Sequence, residues 1–474
     1  MQERLYASIP AVYSCRAQDI GSSIVAQSLS CDTDHNIQAM AKVTIPYGSD
    51  GQLSVEIPDR NLTEVLSPNR VDVPPNPRQP IEEALNRPVG SDPIEDIVRR
   101  KRNQDGKDVC IICDDVTRST PGHLIIPPIL KRLNQAGVHD ENVFLVIALG
   151  THRPMTEKEI VGKVGQEVMS RVRVYNSEFR DKTDGLVKVG TSPDGVPVWV
   201  DRRVAEARVR IGLGSILPHP AAGCSGGAKI VVPGVTGEDT VASFHLQYAA
   251  TPQNLFGQPC TPAREIMERV VGVIGLEFIV NVISTPDDEI YRVVAGDYVK
   301  AHRKGVRFLQ EVCGIRATGH PDIVICSSYP ANLDFWQATK AVFAPDFWAR
   351  SGGSIILAAE CPEGIGPHSE YADYIGDDNP EQLLKDAYAG RTAEPIAVSG
   401  GVTLARMRME KRFSLVSDGL ERRHVARMKW RAYDNLQEAL DLELKRYGPD
   451  ATVGVFTHGG SSFPYFLTTA GPER

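Results

Sequence analysis

The sequence predicts an α/β protein made of two α/β units. Short apolar runs of strand length alternate with helical stretches from about residue 107 to 240, and the rhythm restarts near residue 318. The length of 474 residues suits two to three domains of ~150 residues each. At 42% hydrophobic and 24% charged, the composition is that of an ordinary globular chain.

A net charge of -8 argues against a nucleic-acid partner, which calls for a basic surface. No apolar run approaches the ~20 residues that span a membrane. The nine cysteines are scattered without regular spacing, as in a reducing, cytoplasmic setting. Cys110 and Cys113 resemble a metal pair, but DVCIICDD reads as a buried strand. Residues three apart in a strand point to opposite faces.

In chain order, residues 1–39 show no clear period and read as an extension before a domain that starts near Met40. AKVTIPYGSDGQLSVEIP reads as two alternating strands across a Ser-Asp-Gly turn. A Pro-, Asn- and Arg-rich stretch follows, with a helix near 93–101. The strand 107–113 ends in DDVTRSTP, and a helix follows to about Gln135. The strand 142–149 ends in GTHRP, and Thr156 with Glu159 forms a capping box for the next helix. A short strand is expected at 172–175, a hairpin at 186–200 around Pro193-Asp194-Gly195, and a strand at 207–213. That last strand feeds PHPAAGCSGGAKIVVPG, and Gly237-Glu238-Asp239 opens a helix carrying His245.

Three strand ends thus deliver Arg118, His152 and His219, and in open α/β sheets ligands bind beyond the carboxyl ends of strands. Each also has a bland explanation, Arg118 as a helix-end ion pair and His152 as a loop hydrogen-bonder. Lys229 lies alone among small residues, as suits a lysine that binds an anion or bonds covalently to a ligand. It is not a P-loop lysine, because Ile230 follows it where Ser or Thr would hold magnesium.

The second unit opens with a strand at 323–326 and SSYPANLDFWQATKA. Asn332 or Asp334 caps the helix, and Trp336 and Lys340 share a face of it. A strand at 353–359 leads into ECPEGIG. Helices near 380–389, 401–410 and 430–446 alternate with strands near 395–398 and 413–416, and 452–456 is the last strand. The expected division is 40–315, 316–448, and a segment 449–474 that returns to the first unit.

Five blocks in order, DDVTRSTP, GTHRP, PHPAAGCSGGAKIVVPG, the helix with His245, and FWQATK, make the chain resemble the lactate racemase family of nickel-pincer enzymes from about Lys42 onward. The resemblance implies two α/β domains with the active site in the cleft between them. It implies that Lys229 is joined covalently to a nickel-pincer pyridinium mononucleotide, that His245 ligates the nickel, and that Asp115, Ser225, Gly226 and Gly227 contact the cofactor. His152 and His219 would be the two acid/bases, one for each substrate face. Arg118 would grip the substrate carboxylate, and Trp336, Gln337 and Lys340 would close over the substrate. The implied reaction inverts C2 of a 2-hydroxy acid by moving hydride to the cofactor and back, which avoids a carbanion. Separate maturation proteins would supply the cofactor.

Trp336 stands where lactate-specific members carry tyrosine. Their late tryptophan has no equivalent, since Trp348 is too early and Trp430 too late. The substrate expectation therefore extends from lactate to malate, a hydroxyglutarate or an aldonate, with room left by small residues at 399–401. Two other readings use the same residues: a nucleotide-binding carrier or sensor, and a zinc hydrolase of the three histidines. No recognised zinc spacing links those histidines.

Overall fold

The computed structural model describes residues 39–101 and 109–466. The extension expected at 1–39 lies outside them except for its last residue. Two six-stranded sheets form the framework. In the first, the order is Ile290–Gly296, Phe278–Ser284, Val209–Ser215, Val109–Asp114, Val143–Ala148 and Arg173–Asn176. Only the pairing of Ile290–Gly296 with Phe278–Ser284 is antiparallel. Every residue of Val109–Asp114 and Val143–Ala148 is buried, as a parallel sheet covered on both faces requires. Alternate residues feed different cores. Cys110, Ile112, Phe144 and Val146 pack on one side, and Ile111, Cys113, Leu145 and Ile147 on the other. Cys110 and Cys113 are therefore buried free thiols in separate cores.

The second sheet is wholly parallel, in the order Arg431–Tyr433, Arg412–Val416, Ser354–Ala358, Ile323–Ser327, Val453–Phe456 and Leu62–Leu66. This departs from the division at 40–315. Leu62–Leu66 pairs with Val453–Phe456. The hairpin of Met40–Tyr47 and Gly51–Pro58 packs Val43, Ile45, Val55 and Ile57 against Ile323, Ile325, Ile356 and Val455 of the second sheet. A one-sided apolar alternation shows that a hairpin covers a sheet, but not which sheet. The chain therefore begins in the second sheet, builds the first, and returns.

Other departures have local causes. Residues 395–398, expected as a strand, open the helix Pro395–Glu410. Pro395 occupies the first turn, where its missing N–H costs nothing. Nearly every turn is buried, so no 3.6-residue period marks the helix. The helix expected at 430–446 is instead a strand, Arg431–Tyr433, and a helix, Leu436–Tyr447, whose start is capped by the Asn435 side chain accepting from the Glu438 amide at 2.8 Å. A further strand, Phe463–Tyr465, pairs with Gly314–Arg316 where the chain passes between the units. No helix among the described residues is long and apolar enough to cross a membrane.

Candidate active site

The loop after Val109–Asp114 is pinned from below. The Asp114 carboxylate accepts from Thr120 Oγ1 at 2.5 Å and the Ser215 amide at 3.2 Å, and it pairs with Lys163 at 2.7 Å. Lys163 also donates to the carbonyls of Asp115 at 3.0 Å and Arg118 at 2.6 Å. It comes from Glu157–Val164, the helix whose Thr156–Glu159 capping box is present as expected. The sequence pattern singled out Arg118 but not Lys163, which looks like any surface lysine on a helix.

Hydrogen-bond logic then fixes the protons around His152. Lys340 Nζ donates to Gln337 Oε1. The Gln337 amide nitrogen therefore faces His152 Nε2, at 3.1 Å, and that ring nitrogen must accept. The His152 proton sits on Nδ1, 2.6 Å from Asp115 Oδ2. Burial alone would raise the Asp115 carboxyl, but the His152 ring, the Thr117 hydroxyl and Arg118 hold it well below the usual carboxylate range. This chain of four side chains bridges the two units. Gln337 and Lys340 face one another because Phe335–Ala338 is a single α-turn that continues as a 3₁₀ turn, Thr339–Val342. Three residues per turn align 337 with 340, while Trp336 and Lys340 both line the same cavity, as expected of residues four apart. Of the two cap candidates, Asp334 is the one used, accepting from the Gln337 amide at 2.7 Å.

His219 is arranged oppositely. Its Nδ1 accepts from the amides of Ala221 at 3.2 Å and Ala222 at 3.3 Å, so the neutral ring carries its proton on Nε2. Burial first, then Lys229, Lys340, Arg118 and His245, keeps this ring neutral well below the ordinary histidine range.

The small residues before Lys229 prove to be pressed by protein from behind. A Cβ on Gly223 would lie 2.0 Å from the Gln258 carbonyl, and one on Gly227 would lie 2.9 Å from the Tyr298 carbonyl. Gly226 and Gly227 take φ of 75° and 59°, the left-handed region that glycine enters freely. Ser225 Oγ accepts from the Leu217 amide at 2.8 Å and donates to the Ser215 carbonyl at 2.7 Å. Lys229 has neither a carboxylate nor a hydrogen-bond partner on its amine among the described residues. Burial, then Arg118 and Arg264, lowers it to about 7. His245, on Glu238–Ala249, has a buried Nδ1 without a partner, and burial brings its pKa down to about 3.

One cavity is lined by Asp115, Arg118, His152, His219, Lys229, His245, Trp336 and Lys340, with Ser225 and Gly226. Gly227 instead backs onto His302 and Tyr298. Asp114 is paired with Lys163 and Asp115 is hydrogen-bonded to the His152 ring, while the Arg118 guanidinium brings positive charge to a cavity that Lys229 and Lys340 also line, both amines lowered from the ordinary lysine value chiefly by burial. Among the described residues no three His, Cys, Asp or Glu side chains gather as a metal site, so the three histidines do not form one together.

Of the small residues at 399–401, Ser399 and Gly400 line the cavity, and the space beside the two glycines is narrow. A Cβ at Gly400 would stand 3.1 Å from Trp336 Cζ3 and 3.2 Å from the Tyr371 ring, and one at Gly401 would stand 2.4 Å from Tyr374 Cβ. Trp336 also meets the His368 and Tyr371 rings at 4.7 Å. Tyr371 and His368 escaped the sequence reading. His368 follows a strand end, in the extension of ECPEGIG, and that position was the available signal.

Three histidines, an arginine and two lysines thus meet in one cavity, and the relatives give the class of the enzyme as isomerase, a racemase. Residues 47–257 match the lactate racemase N-terminal domain and residues 317–463 the lactate racemase C-terminal domain. The chain belongs to the lactate racemase family. It is 29% identical to the lactate racemase of Lactiplantibacillus plantarum over 81% of this chain and 89% of that one. It is 27% identical to that of Thermoanaerobacterium thermosaccharolyticum over 89% and 99%. The structure of the latter apoprotein superposes with a TM-score of 0.78 at 26% identity, covering 90% of this chain and all of that one. A Thermotoga maritima protein, 18% identical, shares the fold with a TM-score of 0.62, covering 80% of this chain and all of that one.

Proposed function

We propose that the protein racemises or epimerises a 2-hydroxy acid at C2, using a nickel-pincer nucleotide attached to Lys229. The supporting observation is the pairing, in one cavity, of a half-buried lysine whose amine has no partner among the described residues with a half-buried histidine whose buried Nδ1 has none either. A lysine near 7 is substantially neutral at physiological pH and nucleophilic. A neutral imidazole with no protein partner is free to ligate. One protein ligand is too few for a site made by the protein alone, and it fits a metal whose remaining donors come with the cofactor. The residues present thus fit the group: Lys229 would hold the nucleotide and His245 the nickel. When bound, the pyridinium ring supplies a reversible acceptor for the C2 hydrogen with its electron pair.

The chain's own residues supply the rest. Arg118 and Lys340 bind the substrate carboxylate. His152, held by Asp115 in the tautomer with a bare Nε2, takes the hydroxyl proton of one enantiomer. The substrate hydroxyl replaces the Gln337 amide at that nitrogen. His219 serves the opposite face. Its contacts with the amides of 221 and 222 loosen when the ring changes protonation state, because an Nδ1–H cannot face two N–H donors. Gln337, Lys340 and Trp336, from the second unit, close the cleft and keep water from the flat keto acid.

The test is the intact mass and nickel content of protein co-expressed with the maturation proteins. An adduct at Lys229 with about one nickel per chain supports the assignment, following the one lysine and one histidine available. An unmodified, nickel-free chain despite competent maturation overturns it. A panel of chiral 2-hydroxy acids then assigns the substrate.

A further inference from the structure

We infer that Arg264 and His302 are positioning residues that, from behind, turn the carbonyls of residues 224–226 away from the cavity and so make the Lys229 loop a seat for an anionic mononucleotide. Arg264, on the helix Pro262–Ile274, is completely buried. It donates through Nη1 to the Gly226 carbonyl at 2.9 Å and through Nη2 to the Cys224 carbonyl. His302, on Lys300–Cys313, is equally buried. Its Nδ1 is taken by Arg303 Nη1 at 3.0 Å, so its Nε2 carries the proton and donates to the Ser225 carbonyl at 2.9 Å. Asn281 Oδ1 accepts the Gly227 amide at 2.8 Å. Three successive carbonyls are thus drawn to the rear, and the positive φ of Gly226 and Gly227 permits the turn. The negative ends of three peptide dipoles are removed from the face beside Lys229.

The charge balance points the same way. Among the described residues no carboxylate pairs with Arg264, and Glu268 is held by Arg303 at 2.9 Å. Arg264 therefore has no direct salt bridge, and Glu268 acts on its charge only from a distance; a buried guanidinium so placed is costly, and an apolar side chain of similar volume would serve stability as well or better. Its positive charge is instead felt across the loop, where Lys229 is held near 7 by burial, Arg118 and Arg264. A ligand carrying a phosphate or carboxylates completes the balance.

This deepens the proposed function by naming the residues that shape the loop for its ligand, and it is measured on unloaded protein and so is judged apart from racemisation. The full chain, made without maturation proteins, is titrated with nicotinate mononucleotide. The pH dependence of Lys229 acetylation by acetic anhydride is read by peptide mass. Arg264→Met is expected to weaken binding about tenfold or more and to raise the acetylation midpoint by ~0.5 pH unit or more. Arg264→Lys, which keeps the charge, holds both within about threefold. His302→Leu weakens binding about threefold and decides the matter if Arg264→Met does not fold. Folded Arg264→Met or His302→Leu protein with parental affinity and an unchanged Lys229 profile would overturn the inference. So would a parent chain that does not bind the mononucleotide.

Discussion

The Asp115 carboxylate lies 2.6 Å from His152 Nδ1, while the other nitrogen of that ring meets Gln337 from the opposite unit at 3.1 Å. One face of the imidazole is fixed by the first unit and the other is covered by the second. Asp115→Asn keeps the shape but can present an amide donor to Nδ1, which favours the wrong tautomer. The expected result is a loss of about two to four orders of magnitude in kcat with the Lys229 adduct retained. Intact mass and a chiral assay on one preparation check it; a parental kcat would remove Asp115 from the mechanism.

Gln337→Leu removes the partner of both His152 and Lys340. The Lys340 amine then loses its hydrogen-bond acceptor. A fall of about ten- to a hundredfold in kcat/KM is expected, with cofactor loading unchanged because the loop at 223–229 is untouched. Loss of the adduct instead would place Gln337 in cofactor attachment.

At His219, asparagine can still offer an acceptor to the amides of Ala221 and Ala222, but it has no imidazole proton to transfer. His219→Asn should therefore keep the fold and the adduct and lose at least about a hundredfold in kcat. Near-normal racemisation in either direction would show that His219 only shapes the turn.

Acid should destabilise the protein through its buried neutral histidines. His245 is lowered to about 3, His368 and His458 to about 4, and His219 and His302 well below the ordinary value, all chiefly by burial. Unfolded histidines take up protons near 6.5, where the buried ones do not, so stability rises with pH across that window and is lost as pH falls below it. The melting temperature of unloaded protein should drop steadily from pH 6.5 to 4.5. A flat profile would contradict the buried, neutral assignment.

The ion pair of Arg153 with Glu363 joins the two units at 2.9 Å, but both side chains are substantially exposed, 42% and 39%. A double-mutant cycle should find less than about 1 kcal/mol between them. A larger coupling would mean that the pair governs closure of the cleft.

Much of this was legible in the residues. The strand ends carrying Arg118, His152 and His219 stood out because polar groups follow wholly apolar runs, and the structure gathers them with Lys229 and His245 around one cavity. Helix Pro395–Glu410 was misread because burial on all sides erases the amphipathic period. Lys163, Arg264 and His302 had no local signature. Each acts on a segment distant in the chain, and nothing in a helical lysine, arginine or histidine says which carbonyl it will meet. The glycines of 223–227 were visible, but the protein atoms crowding them belong to Gln258, Tyr298, His302 and Asn281, far along the sequence.

The second sheet takes its last two strands from opposite ends of the described chain, Leu62–Leu66 beside Val453–Phe456. During synthesis the hairpin at 40–58 emerges early and must wait for Ile323 and Val455 before its apolar face is covered. The first sheet can close while the second is still incomplete. Contacts of such long sequence separation are slow to form, whereas the loop that carries Lys229 follows Val209–Ser215, a strand of the first sheet. A chain stopped short of Phe456 would present that lysine without the strand that joins Leu62–Leu66 to the rest of the second sheet.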